Sequence, residues 1–581
     1  MSSFSEVLSY FNPVSALRRL SFDRDTLRAD LLAGVTVSLV AIPQSLAYAQ
    51  LAGVPAYYGL YAALIPTIIG ALFGSSRQLS TGPVAMTSLL TAASVAPLAA
   101  EGSDQFFAYV VLLALISGLF QIAFGVMRMG VLLNFLSHPV LMGFINAAAL
   151  IIGLSQLPAL LGVAPQQSGH FILDVWAVLG SASQTHILSF VFGIVSLTAL
   201  FAFKKYAPKL PGVLITVAAL TAISWLVGYA EMGGKVVGEI PEGLPTIGLP
   251  VMDWQATVAL VPAGFVIALI SFMEAMSSSK IIAIKTRCQW DQNRELVGQG
   301  LAKVAAAFSN TMPVSGSFSR SALNLASDAR TGLSSIIAAL FVLLTLLFLT
   351  PLLYHLPKPV LAAIIMMAVF GLLNFKNFSK AWRTSRDDGL ASALTFVSTL
   401  AFAPNIQNGI LTGILLSLAL LLYRMMKPNI ALLGMYHDAT LRDIGRHALE
   451  PMHPHLSALR FDGDLRFVSV AYFEDALLKL ERENPELKQV LVKSSGINCI
   501  DASGIEMLSN LVTRFRDNGI IINFSGFKRQ VQAVLDSTGL TEMIGKEHIF
   551  PSDREALEYL NRELKLNQGP APEAEPAPSK S

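Results

Sequence analysis

Between Asp30 and Met426 the chain is a succession of apolar runs of roughly 18 to 25 residues, each long enough to cross a bilayer as a helix. In lipid every backbone N–H and C=O must be satisfied within the protein, so runs of this length and non-alternating pattern fold as transmembrane helices. Counting them gives about 14 crossings, with two segments, near residues 82 and 319, reaching only about halfway. Hydrophobic residues make up 53% of the chain and charged residues 14%, which agrees with a polytopic membrane protein. The formal net charge of +2 conceals a basic start, apolar spans and a mixed-charge C-terminal region, and implies no nucleic-acid partner. Cys288 and Cys499 are the only cysteines; they supply no disulfide framework, and with the scattered histidines they form no metal site. Arg18, Arg19, Arg24 and Arg28 precede a span-length run without a small-residue cleavage site, so this run is expected to be a retained first span.

Basic residues set the orientation. Arg77, Arg128, Lys204, Lys205 and Lys209 follow the second, fourth and sixth spans, on the side of the N-terminus. The connection from Gly233 to Trp254 carries only Lys235 beside three carboxylates. An even number of spans and the positive-inside rule place both termini in the cytoplasm, with the spans in the inner (cytoplasmic) membrane. Lys376, Lys380, Arg383, Arg386, Arg424 and Lys427 agree.

Two short stretches interrupt the apolar pattern with glycine, proline and hydroxyls: Ser80 to Ser88 and Pro313 to Ser321. They read as two facing, broken helices at the third and tenth positions, as two seven-span repeats would place them. An odd number of spans per repeat forces opposite orientation, and inverted repeats meet at a mid-membrane site. The alternative is that glycine and proline here serve kinks or close packing. A helix starting at mid-depth aims its positive end at what lies there. Arg320 adds a guanidinium at a depth where its insertion costs about 2.5 to 3.5 kcal/mol unless it faces a partner or cavity. The expected site for a small anion comprises Arg320, the amides of Ser317, Phe318 and Ser319 and the hydroxyls of Ser317, Ser319 and Ser321 on one wall. The other wall holds the amides of Val84 and Ala85 and the hydroxyls of Thr81 and Thr87. Gln44, behind a helix-breaking proline in the first span, and Tyr48 are further candidates. Glu274 lies in an otherwise apolar run with Ser278 one turn on; it is expected to take a proton, hold a cation or pair with a base, either Arg320 or Lys303. The competing role for Arg320 is an ion pair with Glu274.

After Lys427 the pattern shifts to short strands and amphipathic helices. A linker over 429–454 leads to a soluble α/β domain over 455–566, with strands at Leu456 to Phe461, Arg466 to Val470, Lys488 to Lys493 and Ile520 to Ser525, and helices at Tyr472 to Arg482 and Gly504 to Arg516. The Pro-, Ala- and Glu-rich stretch 567–581 reads as a disordered tail, and 1–29 as an N-terminal cytosolic segment.

The motifs Asp30 to Val37, Ile42 to Ala49, Gly53-Val54-Pro55 with Tyr58-Gly59-Leu60-Tyr61, Phe73 to Arg77, Gly82-Pro83 and Met312 to Asn324 occur in this order. Together they resemble the sulfate permease transporters, the bacterial relatives of solute carrier family 26. The resemblance implies a seven-plus-seven inverted repeat with core and gate domains, a homodimer, and anions held between the third and tenth helices, with Ser319 and Arg320 matching the anion-contacting pair. It also implies that Glu274 and Ser278 stand where sodium-coupled relatives hold the cation; Lys303 replaces a small polar residue there and could act as an internal cation, which favours a coupled proton over bound sodium. The C-terminal region resembles a STAS domain, and Ser503, in Ile500 to Gly504, falls where anti-sigma-factor antagonists carry a phosphorylatable serine; a plain N-cap at Asp501 or Ser503 is the alternative. The expected function is cation-coupled secondary transport of a small inorganic anion, sulfate first, by an elevator-like movement. Bicarbonate or dicarboxylate transport, an uncoupled exchanger and an anion channel are the alternatives, and a cytosolic regulator of the STAS domain is a candidate partner. No nucleophile–base pair, phosphate loop or metal set is present in the membrane part, so catalysis is not expected and no cofactor is called for.

Overall fold

The computed structural model describes residues 7–17, 20, 22–130, 137–164, 170–207, 210–240, 243–371, 373–403 and 405–564. The expected tail 567–581 lies outside the described residues, as do Arg18, Arg19 and Lys209 of the basic markers. The chain divides into two units, Met1–Ser417 and Leu418–Ser581.

The membrane part runs through helices α1 (Arg24–Leu51), α2 (Tyr57–Phe73), α3 (Ala85–Val95), α4 (Asp104–Val126), α5 (His138–Leu161), α6 (Ile187–Tyr206) and α7 (Gly212–Val227). It continues through α8 (Trp254–Thr286), α9 (Gln292–Phe308), α10 (Phe318–Ala326), α11 (Leu333–Leu353), α12 (Lys358–Phe370), α13 (Arg386–Phe402) and α14 (Ile406–Met426). Among the described residues, 7 helices are long and apolar enough to cross a membrane. The 11 residues of α3 and 9 of α10 span only about half the ~30 Å hydrocarbon core at about 1.5 Å per residue. The expectation of two broken helices is met. In front of each lies a three-residue strand, β1 (Ser80–Gly82) and β2 (Ser315–Ser317), and the two pair antiparallel with Ser80 opposite Ser317 and Gly82 opposite Ser315. This pairing satisfies backbone that would otherwise be orphaned in the membrane interior. Gly316 lets this strand pack tightly on α8, since an added Cβ would lie 3.0 Å from Cα of Ala275.

The packing repeats with opposite sense in the two halves. Helix α4 lies on α8 and α9, and α11 on α1 and α2; α5 pairs with α13, and α6 with α12. Advancing each helix by seven turns one set of contacts into the other, the signature of an inverted seven-plus-seven repeat. Lipid tails give helices no hydrophobic reason to associate, so close packing at small residues carries the contact. On α9 an added Cβ at Gly298 would stand 2.5 Å from the Gly74 amide nitrogen, and one at Gly300 would stand 2.9 Å from the Gly118 carbonyl oxygen of α4. One expectation is corrected: Pro43 does not break the first span, since α1 continues through it, at the cost of the one hydrogen bond its missing N–H cannot make.

The C-terminal unit is a six-stranded sheet in the order β4-β3-β5-β6-β7-β8. Its strands are β3 (Asn429–Met435), β4 (Leu441–Asp443), β5 (Leu456–Asp462), β6 (Gln489–Lys493), β7 (Ile521–Ser525) and β8 (Ile549–Phe550). Strands β5 to β8 are parallel and β3 runs antiparallel to β5. Helices α15 (Val470–Glu483) and α16 (Ala502–Asp517) contribute to a core of Phe461, Phe473, Leu477, Phe515 and Phe524. Ala431, Leu433, Leu491, Leu557 and Leu560 form a second cluster. Two expectations are corrected here. The stretch 429–454 is no linker: it supplies β3 and β4, whose Ala431 and Leu433 are buried. Residues Arg466 to Val470 are not a strand either. Only Leu465 bridges to Ile500, and the chain then turns into α15, with the Ser469 hydroxyl donating to the Asp464 carbonyl at 2.6 Å. A hydroxyl that bonds its own backbone favours a turn over a ladder.

Candidate anion site

Antiparallel pairing of β1 and β2 brings the N-termini of α3 and α10 together in the membrane interior. Val84 is the N-cap of α3 and offers no side-chain acceptor to the first-turn amides. Ser317 is the N-cap of α10, its hydroxyl 3.4 Å from the Arg320 amide. Arg320, in the first turn of α10, is 2% exposed. Its side chain crosses to the opposite half: Nη1 donates to the Pro83 carbonyl at 2.9 Å and Nε to the Ser80 hydroxyl at 3.4 Å. Gly82 makes room for it, since a Cβ there would lie 3.0 Å from Nη2. Among the described residues nothing accepts a hydrogen bond from Nη2. A buried charged donor with a free N–H is costly unless a further acceptor comes to it.

Helices α1, α3, α8 and α10 pack on one another around this point, and other buried polar atoms on them lack partners among the described residues: Gln44 Oε1, Thr87 Oγ1 and Ser278 Oγ. Tyr48 is buried and interacts electrostatically with both Arg320 and Glu274. Tyr48 is thus near Arg320, Val84 and Ala85 directly follow the Pro83 carbonyl that Arg320 binds, and Gln44 and Thr87 lie on the helices that pack around this point. Phe318 and Ser319 are exposed at the start of α10, and Phe318 lines a cavity of about 480 Å³ with Ser278 and Lys285. Two hydroxyls do not join the site. Thr81 Oγ1 accepts from Gln299 Nε2 at 2.8 Å, on the side facing α2 and α9, because alternate residues of a strand point to opposite faces. Ser321 Oγ accepts from the Ser80 amide at 2.9 Å and fastens β1 to α10.

Glu274 accepts from the Ser315 hydroxyl at 3.0 Å, and that oxygen is 3.1 Å from the Ser271 carbonyl. Lys303 is fully buried and donates to Ser271 Oγ at 2.6 Å and to Gln121 Oε1. Neither expected ion pair forms: Glu274 touches neither Lys303 nor Arg320, and Ser271 and Ser315 stand between the carboxylate and the ammonium. The Glu274 carboxylate thus stands apart from both basic side chains, linked toward Lys303 only through the Ser315 and Ser271 hydroxyl and carbonyl groups.

Sequence reasoning missed the groups that hold this frame. Glu295, fully buried, accepts from the amides of Ser75 and Ser76 at 2.8 Å each and from Gln299 at 3.1 Å. Asp30, equally buried, accepts from the amides of Arg330 and Thr331 and from the Thr331 hydroxyl. A carboxylate close to the end of an apolar run was the available signal. In the C-terminal domain Asp501 caps α16, accepting from the Gly504 amide at 2.9 Å, and also accepts from the Phe467 amide at 2.9 Å. Ser503 lies in the first turn of that helix and is not its cap.

Half-helices meeting head to head inside an inverted-repeat bundle, with a buried guanidinium spanning them, define a polytopic membrane transporter. The chain belongs to the sulfate permease family, whose model matches residues 27–395, and residues 451–556 match the STAS domain. It is 33% identical to sulfate transporter 4.1, chloroplastic, of Arabidopsis thaliana, over 91% of this chain and 80% of that protein. It is 31% identical to a probable sulfate transporter of Mycobacterium tuberculosis, over 93% and 96%. The fold matches murine solute carrier 26 family member A9, an anion transporter, in the inward-facing state, with a TM-score of 0.87 at 22% identity over 95% of this chain and 94% of that one. The transmembrane domain of a cyanobacterial bicarbonate transporter, BicA, matches with a TM-score of 0.58 at 25% identity, over 68% and 98%.

Proposed function

We propose that the protein is a secondary active transporter of a small oxyanion, sulfate first, and that the anion sits between the N-termini of α3 and α10 against Arg320. The observation that carries this reading is the buried Arg320 guanidinium, spanning both half-helices with Nη2 unpartnered among the described residues. Sulfate offers several acceptor oxygens to the free N–H, to the first-turn amides and to the Thr87 and Ser319 hydroxyls, and charge-assisted bonds of this kind are the strong ones. The names of the relatives favour sulfate, while the bicarbonate transporter among the structural matches keeps bicarbonate as the competitor. Glu274 is the coupling group: as it is held by a neutral hydroxyl and faces no touching cation, its charge changes with a proton. Lys303, bonded to Ser271 and Gln121, stands as an internal cation and favours protons over sodium. The protein lies in the inner membrane as a homodimer with both termini in the cytoplasm. The α1–α4 and α8–α11 group moves against α5–α7 and α12–α14, exposing the site alternately. The test is uptake of labelled sulfate into proteoliposomes under an inward proton gradient, an inward sodium gradient or neither, competed by bicarbonate, chloride and fumarate. Accumulation with the proton gradient alone is expected; sulfate failing to enter while bicarbonate or fumarate does would overturn the substrate.

A further inference from the structure

A second cavity, of about 550 Å³, lies away from Arg320 and is lined by Glu101, Gln156, Lys235 and Lys358 among others. Its walls come chiefly from the end of α5, the start of α12 and the connections after α1, α3, α5 and α7. These share one face by alternation, the face that the charge distribution puts outside the cell. Across all connections of that face and the first helical residue after each, Lys235 and Lys358 are the only Lys or Arg residues, against carboxylates at Glu101, Asp104, Asp174, Glu231, Glu239, Glu242 and Asp253. The fold places the two lysines together. Val236 bridges to Pro357, and the Lys358 amide donates to the Lys235 carbonyl at 2.9 Å. Lys235 is exposed and Lys358 half-buried, and among the described residues neither ammonium has a carboxylate within 4.0 Å. Two like charges held side by side in a concave site repel each other and focus a positive potential there, even though acidic groups dominate the rest of that face. Glu101 lines the same cavity from the α3–α4 connection.

We propose that Lys235 and Lys358 form an outer capture site, a paired-cation vestibule that holds a small oxyanion of sulfate's charge before it passes to the central site. This rests on the anion-transport reading and on the outward placement of this face, but not on which cation is coupled. Capture by fixed charges acts on encounter, so it changes the half-saturating concentration and its salt dependence more than the maximal rate. Glu101, in the same cavity with opposite charge, opposes capture.

The experiment is the initial rate of labelled sulfate uptake by intact cells carrying the wild-type protein, the double variant Lys235→Gln/Lys358→Gln, or Glu101→Gln, at low and high ionic strength. The same series is run with labelled bicarbonate should sulfate not enter. The double variant is expected to raise the half-saturating concentration about three- to tenfold at low salt. That difference should shrink as the Debye length falls to about 8 Å at 0.15 M and below it in stronger salt, with the maximal rate within about twofold of wild type. Glu101→Gln is expected to lower the half-saturating concentration. If the lysines and Glu101 instead formed a latch across the cavity, all the variants would shift uptake in the same direction, which overturns capture; salt-independent effects or an unchanged double variant do so too. Weak sulfate binding is measured separately on purified Arg320→Ala protein at low salt, which needs no transport. Residual binding removed by the two lysine substitutions supports the site even if uptake fails, and residual binding that ignores them, or none at all, rejects it.

Discussion

Replacing Arg320 by alanine has two separable consequences that the geometry lets one estimate. The bound anion loses its buried guanidinium, hence one or two charge-assisted hydrogen bonds, each worth about 1.5–3 kcal/mol. A total of about 3–4 kcal/mol corresponds to a rise of about 150- to 1,000-fold in the sulfate dissociation constant. The protein itself loses the donor to the Pro83 carbonyl (2.9 Å) and the contact with Ser80, which costs about 1–3 kcal/mol of stability if that carbonyl stays unpaired. Arg320→Lys separates these terms: it keeps the charge, gives up the planar fork, and cannot span both half-helices while serving the anion. We expect an intermediate loss of affinity, about 10- to 50-fold, with a smaller loss of stability. The assay is a thermal melt of the purified, detergent-solubilised protein titrated with sulfate. Ligand that binds only the folded state stabilises it by about 2.7 kcal/mol at 100 times the dissociation constant, so a sulfate concentration that raises the wild-type midpoint by several degrees should leave the alanine variant unmoved. An alanine variant that elutes as the wild type does and binds sulfate with unchanged affinity would refute the assignment of Arg320, and with it the central site.

Glu274→Gln keeps a hydrogen-bonding partner for Ser315 but cannot be charged, so anion exchange between preloaded liposomes should survive while gradient-driven accumulation disappears; surviving accumulation makes Glu274 structural. Gly298→Ala places a methyl 2.5 Å from the Gly74 amide nitrogen, backbone against backbone, and should destabilise the protein by about 1–3 kcal/mol. Gly180→Ala, where nothing lies within 4 Å, is the control, and an equal melting temperature for both would refute the close-packing account of α9. Because Asp501 already caps α16, Ser503→Ala should not lower stability, whereas Asp501→Ala should, by about 1 kcal/mol. If Ser503 is a phosphorylation switch, Ser503→Asp will alter cellular uptake relative to Ser503→Ala, and identical uptake by both and wild type dismisses the switch.

The sequence alone determined the class of fold and singled out the two segments on which the proposed site rests. Long apolar runs admit only helices in lipid, and the two Gly/Pro/Ser interruptions in equivalent positions point to half-helices, with Arg320 conspicuous inside one of them. What those one-dimensional signals cannot carry is direction across the bundle. Thr81 and Ser321 looked like anion ligands by position, yet one strand residue faces Gln299 and the other hydroxyl fastens β1, since pairing register and strand alternation decide which way each points. Glu274, Lys303 and Arg320 were legible as intramembrane charges, but that Ser271, Gln121 and Ser315 intervene was not, because those partners come from two helices and a strand that the sequence separates from the charges they meet by 32 to 182 positions. The strand at 429–435 escaped for a related reason: an apolar run joined directly to the last span has no pattern of its own until β5, met later in the chain, gives it a ladder. Composition and period were enough to establish a bundle of membrane-spanning helices; the geometry around Arg320 depended on contacts between residues more than 200 positions apart, which only the tertiary structure brings within hydrogen-bonding distance.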